Sequence, residues 1–300
     1  MSLPFTYAVT HATKYTYEDA VSRSQLLLHL VPRANPRQRC VEHALAIEPA
    51  PSRRSDREDC FGNPVILLEF DRPHRALSIT STMRVEVDAR AVVDLAASPS
   101  WEDVAALFDY RALRAMDAAT LDASRYRFES VYVRIKSALA EYARECFAAG
   151  TPMMVGVRAL MKKIHREFRF DPDATLIATP LLEVLAKKRG VCQDFAHLMI
   201  GCLRSLGLSA RYVSGYLLTR TPPGKPRLVG ADASHAWISA YCPELGWIDF
   251  DPTNNVLPDT QHITIAWGRD FSDVSPQRGA ILGGGEHDLD VGVTVMPVAD

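Results

Sequence analysis

The sequence predicts an α+β protein in two parts. An N-terminal β-sandwich-like domain covers residues 1–95, and a second domain of helices packed on an antiparallel sheet covers residues 96–300, closed by a C-terminal strand tail. Three observations predict this. Residues 5 to about 90 break into short β-rich runs separated by turn residues, the pattern of a sandwich. Beyond Ser98-Pro99-Ser100-Trp101 apolar residues recur at three- and four-residue steps, the period of helices. From Ala210 onward short runs of β-formers return. A chain of 300 residues, 47% hydrophobic and 23% charged, is long enough for two globular domains.

The first domain begins with Tyr7–Tyr17, where β-formers alternate. Leu26–Val31 is an apolar run stopped by Pro32, Phe61-Gly62-Asn63-Pro64 is a turn into a strand over Val65–Phe70, and Leu77–Val87 is strand-like. The pattern is then helical to about Phe147, with Val131, Ile135, Ala138, Leu139 and Tyr142 on one face. Gly150-Thr151-Pro152 closes that segment. A helix follows over Val155–Phe168, with Val157, Leu160, Met161 and Ile164 inward, and another over Leu181–Lys188, ended by Gly190. Cys192–Leu206 reads as a helix burying Phe195, Met199, Cys202, Leu203 and Leu206, with Gly207 as its left-handed stop. Strands are expected over Ala210–Leu218, His235–Tyr241 and Trp247–Phe250, with a loop at Thr221–Pro226. Gly283-Gly284-Gly285 is expected to form a mobile turn before a last strand, Leu289–Met296.

A formal net charge of -2 gives no field that would draw nucleic acid or an anionic membrane. No apolar run is long enough to span a bilayer. Met1–Thr6 lacks the basic and apolar regions of a signal peptide. The six cysteines are scattered without a CxxC pair, so reduced thiols and a cytoplasmic location are expected. Nothing in the sequence fixes the oligomeric state.

The residues that carry chemistry follow. Cys192 falls in the first turn of its helix, where free backbone N–H groups favour a thiolate. Buried cysteines, however, commonly serve only as small apolar side chains. His235 begins one strand and Asp251 ends the next across a short turn. They share a face only if the register pairs residues of one parity, for example Tyr241 with Trp247. Asp251 can then orient the imidazole towards Cys192. Taken singly, His235 is a solvated strand residue and Asp251 a turn-former in Asp251-Pro252-Thr253-Asn254; the joint geometry makes the triad reading preferable.

Arg189-Gly190-Val191-Cys192-Gln193-Asp194-Phe195-Ala196-His197-Leu198 resembles the nucleophile segment of bacterial transglutaminase-like proteins. Ala233-Ser234-His235-Ala236-Trp237 resembles the histidine motif of that family, and Gly246–Asn254 its aspartate motif, in the same order. Residues 1 to about 90 resemble the β domain that precedes this catalytic domain in one bacterial subfamily, through His29-Leu30-Val31-Pro32-Arg33, Asp59 and Phe61-Gly62-Asn63. Gly268–Pro276 and Gly283–His287 resemble its tail. The resemblance implies a papain/transglutaminase-like catalytic domain with Cys192 as nucleophile, His235 as general base and acid, and Asp251 as orienting carboxylate. Asp249 falls outside the triad slot. It implies attack on a peptide or protein carboxamide through a thioester, as in a cysteine peptidase or amidase. The alternatives are transglutaminase-type transfer to an amine, or a non-catalytic binding or accessory module.

No cofactor and no metal are expected. A zinc set of Cys192, His197 and Cys202 would need three helix faces. His197 is expected to serve packing or a local hydrogen bond, and Asp194 to complement the helix dipole. The glycine triplet lacks the strand and helix of a phosphate loop. Trp237 and Trp247 are expected as core aromatics beside the triad, and Arg211, Tyr212, Ser214 and Tyr216 form a strand able to line a cleft.

Overall fold

The computed structural model describes residues 4–109, 116–219 and 234–298. The expected loop Thr221–Pro226, and Ala233 of the histidine motif, lie outside them.

Five strands open the chain: β1 (Phe5–Leu28), β2 (Gln38–Glu48), β3 (Arg53–Glu58), β4 (Pro64–Phe70) and β5 (His74–Val87). The runs Tyr7–Tyr17 and Leu26–Leu28, expected as separate strands, belong to the single 24-residue β1. Its pairing with β5 is irregular between Thr16 and Val21. The N-terminal half pairs with β5, which pairs with β2; the C-terminal half pairs with β4, which pairs with β3. The strands form one sheet of order β2-β5-β1-β4-β3, and Leu28 of β1, Leu68 of β4 and Leu77 and Ile79 of β5 share a buried cluster.

Next come α1 (Trp101–Leu107), α2 (Ala118–Ser124), α3 (Ser137–Arg144), α4 (Met153–Glu167), β6 (Arg169–Phe170), α5 (Leu181–Lys187), β7 (Arg189–Gly190) and α6 (Cys192–Ser205). The expected helical face through Val131 and Ile135 does not form: both are exposed, and Val133 is the buried residue. Long-range and local acceptors displace the helical bonds there. Tyr132 N–H donates to Asp270 Oδ2 and Ile135 N–H to Glu129 Oε1. α5 ends not at Gly190 but at Lys188, which takes the left-handed conformation (φ 54). Gly207 does so after α6, at φ 80.

The second sheet has the order β10-β9-β8-β11, all antiparallel, from β8 (Ala210–Leu217), β9 (Ser234–Cys242), β10 (Gly246–Phe250) and β11 (His262–Gly268). α6 packs against β8 and β9. The short α7 (Phe271–Val274) leads into β12 (Gln277–Gly283) and β13 (His287–Pro297), joined by three glycines at positive φ. These two strands, placed by sequence with the second domain, are hydrogen-bonded to β1 in the first sheet: β12 covers residues 21–28 and β13 residues 7–17. β5 and β4 each leave one flank of their half of β1 free, and the tail fills both.

The outer edge of β11 is covered by side chains of the first domain. Gln38 accepts from Thr264 N–H and donates to its carbonyl (both 2.7 Å). Asn63 does the same for Trp267, at 3.0 and 2.8 Å. Arg33 N–H donates to Ile265 O, and its guanidinium lies 3.7 Å from the Trp267 ring centre. Two amide side chains thus substitute for a neighbouring strand and satisfy an edge that would otherwise be open. Asp59 holds Asn63 in place through three hydrogen bonds. The motif residues Arg33, Asp59 and Asn63 are therefore docking residues.

Candidate active site

Cys192 is the first residue of α6, following Val191 in extended conformation. Asp194 reaches back, and its Oδ2 accepts from Val191 N–H (2.8 Å) and the Thr175 hydroxyl (2.6 Å). This is the side-chain half of a capping box, so Asp194 fixes the turn that presents Cys192. Burial pushes its carboxyl up despite both donors. The fit requires Gly190, since a Cβ there would stand 2.5 Å from Asp194 Oδ2.

The hairpin of β9 and β10 pairs Trp247 with Tyr241. That register puts His235 and Asp251 on one face. His235 Nε2 donates to Asp251 Oδ2 at 2.7 Å, and Cys192 lies near enough to His235 to favour its protonated form. With Nε2 committed to the carboxylate, Nδ1 is the nitrogen left for the sulfur. Cys192 is partly buried, His235 is 9% exposed and Asp251 is fully buried. The structure therefore brings together the three residues singled out in the sequence.

Asp251 is also the turn-former. Its Oδ1 accepts from Thr253 and Asn254 N–H (2.9 and 3.1 Å), and its Oδ2 from Asn254 Nδ2 (2.7 Å) and His262 Nε2 (3.1 Å) besides His235. Burial alone would raise its proton affinity, but these donors, His235 first, hold the carboxyl far below its usual range. Burial likewise disfavours the His235 imidazolium, yet the bond to Asp251 and the nearby Cys192 outweigh it and push the pKa up to about 10. An imidazole held between a carboxylate and a sulfur keeps its proton through neutral pH.

His262 is the member of this cluster that sequence reasoning missed. The β-branched and aromatic run Ile263–Trp267 after Pro258-Asp259-Thr260 is a strand signal, but nothing in it links His262 to Asp251. Its ring lies edge-on to Trp237 at 5.2 Å. His235, Asp251 and His262 are the three residues here able to offer metal ligands, with ligand atoms within 4.8 Å of one another. Those atoms are engaged in hydrogen bonds at 2.7 and 3.1 Å, so an ion would have to displace the proton that joins His235 to Asp251.

The remaining candidates play other parts. His197 is buried, accepts from Phe271 N–H at 3.1 Å and stacks on Tyr132; burial pulls its pKa down to about 4. Cys202 is in the core, its thiol pushed up by burial. Trp237 is buried, and its Nε1 donates to Asp249 at 3.4 Å. Asp249 thus shares the face of Asp251 without touching His235. Tyr212, Ser214 and Tyr216 are buried; Tyr216 receives His11 of β1 at 2.8 Å.

Comparison with known proteins agrees with this arrangement. Residues 7–86 match the family described as the bacterial transglutaminase-like N-terminal region, and residues 140–252 match the transglutaminase-like superfamily. An uncharacterised protein of Mycobacterium tuberculosis is 40% identical over 99% of this chain and 96% of its own length. The chain belongs to the bacterial transglutaminase-like family. Another such relative, from Mycobacterium leprae, is 33% identical over 97% of this chain and 98% of its own. The protein-glutamine gamma-glutamyltransferase of Pseudomonas aeruginosa is 32% identical over 110 residues, 34% of this chain and 16% of that protein. A solved structure from Cytophaga hutchinsonii, named as a candidate cysteine protease, superposes with a TM-score of 0.78 at 20% identity, over 100% of this chain and 92% of that one. That likeness is one of fold. The transglutaminase-like core and its N-terminal β domain are thus both present in one chain.

Proposed function

We propose that the protein is a thiol-dependent peptidase or amidase acting on a peptide or protein carboxamide through Cys192, His235 and Asp251. The observation that supports this reading is the His235 imidazole, bonded at 2.7 Å to Asp251 and with Cys192, at the first turn of α6, close enough to favour its protonated form. The Cys192 thiolate attacks the carbonyl carbon. The oxyanion is held by the Cys192 backbone N–H, which as the first helical residue has no partner within its helix. His235 gives its proton to the leaving amine, and a thioester remains on Cys192. His235 then takes a proton from water, whose attack releases the acid. The chain's own residues supply nucleophile, acid and base, and no step calls for a metal. The six unpaired thiols support a reducing compartment such as the cytoplasm.

A second reading, transfer of the acyl group to an amine, is favoured by the segment shared with the Pseudomonas aeruginosa glutamyltransferase. Only the acceptor differs. Mass spectrometry of Cys192 after incubation with a peptide library detects the thioester in either case, and a fluorescent primary amine then separates transfer from hydrolysis. Iodoacetamide below neutral pH tests the shared chemistry. Cys192 is expected to label ahead of the other five thiols, and His235→Ala to slow it. Equal labelling of several cysteines would point instead to a non-catalytic module.

A further inference from the structure

The sheet face that carries His235 and Asp251 extends away from Cys192 to a second feature. The register sets Arg211 and Asp249 opposite Ser239 from either side, so both project from this face. Between them and the first-domain loops at residues 35–37 and 90–93 lies a cavity of about 570 Å3. Arg37, Arg90, Arg211, Trp247, Asp249 and Trp267 line it.

Arg211 is 8% exposed, its guanidinium carbon 4.1 Å from the Trp247 ring centre and 3.8 Å from that of Trp267. Both indoles lie in contact with the guanidinium, whose N–H groups are its polar surface. Its Nε is buried and has no hydrogen-bond partner among the described residues; the same is true of Arg90 Nη1. Asp249 is the first-named charge that favours the Arg211 cation, yet among the described residues neither Arg90 nor Arg211 forms an ion pair with it. Its Oδ2 takes the Trp237 N–H instead. Burial pulls Arg211 down to about 10, so it remains a cation at neutral pH. Asp122 also lines the cavity but is ion-paired with Arg125 at 2.8 Å; the orphaned buried donors on two guanidinium groups call for an acceptor that neither carboxylate supplies among the described residues. A planar fork between aromatic walls is a geometry suited to a carboxylate, and interdomain clefts are common ligand sites.

We propose that this cavity binds a small organic carboxylate, held by Arg211 and Arg90 between the indoles of Trp247 and Trp267. The site does not involve Cys192, so it stands or falls separately from the proposed hydrolysis. The carboxylate can come from a free acid or from the C-terminus of a peptide.

The test uses the full chain carrying Cys192→Ala, with tryptophan fluorescence and thermal unfolding as readouts. Glutarate and tetra-alanine are compared with glutaramide and C-terminally amidated tetra-alanine, at constant ionic strength. Saturable binding is expected for one or both acids and for neither amide; the acid that binds identifies the source. Arg90→Gln, at the half-exposed rim, is expected to weaken binding at least about tenfold, the effect of losing one charge-assisted hydrogen bond. Asp249→Asn is expected to tighten it by removing an opposing charge. Arg211→Lys is expected to abolish it; should that buried variant not fold, Arg90→Gln and Asp249→Asn decide. The absence of saturation by either acid, equal binding of the amides, equal saturation by phosphate and chloride, or unchanged affinity in Arg90→Gln would overturn the proposal.

Discussion

Asp251→Asn separates an orienting carboxylate from a mere turn residue. Both Asp251 oxygens are acceptors: Oδ1 takes two backbone N–H groups, and Oδ2 takes His235, His262 and Asn254. An asparagine has one oxygen, so whichever way its amide turns, donor meets donor on one side. If the turn keeps the oxygen, His235 loses its charge-assisted bond and its Nε2 must become an acceptor. The proton then moves to Nδ1, the side facing Cys192. Such a bond contributes about 1.5–3 kcal/mol, so the thiolate–imidazolium pair should fall in population by roughly 10- to 150-fold. The assay is the second-order rate of Cys192 alkylation by iodoacetamide below neutral pH, which needs no substrate. Turnover, once a substrate is in hand, should fall by roughly 10^3–10^4-fold through the wrong tautomer. Stability should fall too, by about 3–5 kcal/mol at neutral pH. The Asp251 carboxyl is held below its unfolded value. Its contribution is therefore complete above about pH 4 and lost as pH falls through the lower folded value, so the gap to the native protein should close in acid. A folded Asp251→Asn protein that alkylates within about threefold of the native rate, well short of the loss worked above, would refute the reasoning.

Asp249→Ala should change Cys192 alkylation by less than about tenfold, because its contact is Trp237 and not His235. With His235 pushed up to about 10, the protonated acid needed by the leaving amine persists through neutral pH, so the alkaline limb of kcat/KM should lie near that value; a limb near the ordinary histidine range would contradict the ion-pair account. Gly190→Ala should cost about 1–3 kcal/mol by forcing Asp194 off its cap, read as a lower urea midpoint together with slower alkylation. Dialysis against EDTA should leave alkylation and turnover unchanged; loss of either, restored by zinc or calcium, would require a metal in the His235, Asp251 and His262 cluster.

Local chemistry was legible in the sequence where one segment decides it. The ends of α6 follow from Cys192 and Gly207, whereas the register of β9 and β10 could be written only as a parity condition, which the pairing of Trp247 with Tyr241 meets. Features set by distant partners were not legible. Residues 131–135 have helical spacing but spend N–H groups on Asp270 and Glu129, and no local window contains that competition. His262 joins the site because β11 is added to β8, across the sheet from β10, a matter of topology. The motif of the first domain was visible as a resemblance, but its purpose, amide side chains on the edge of β11, required the second domain to be seen beside it.

The interlock of β1 with the tail bears on how the chain is made. Synthesis delivers β1 well before residues 277–297, which close the flanks of both its halves. Until then the early sheet carries two unpaired strand edges, templates for pairing with other chains, and its longest contacts await the whole intervening transglutaminase-like region. The nascent protein is therefore exposed to misassembly until β12 and β13 have been made, and a fragment cut at the boundary between the two family regions is an unfinished sheet, not a freestanding domain.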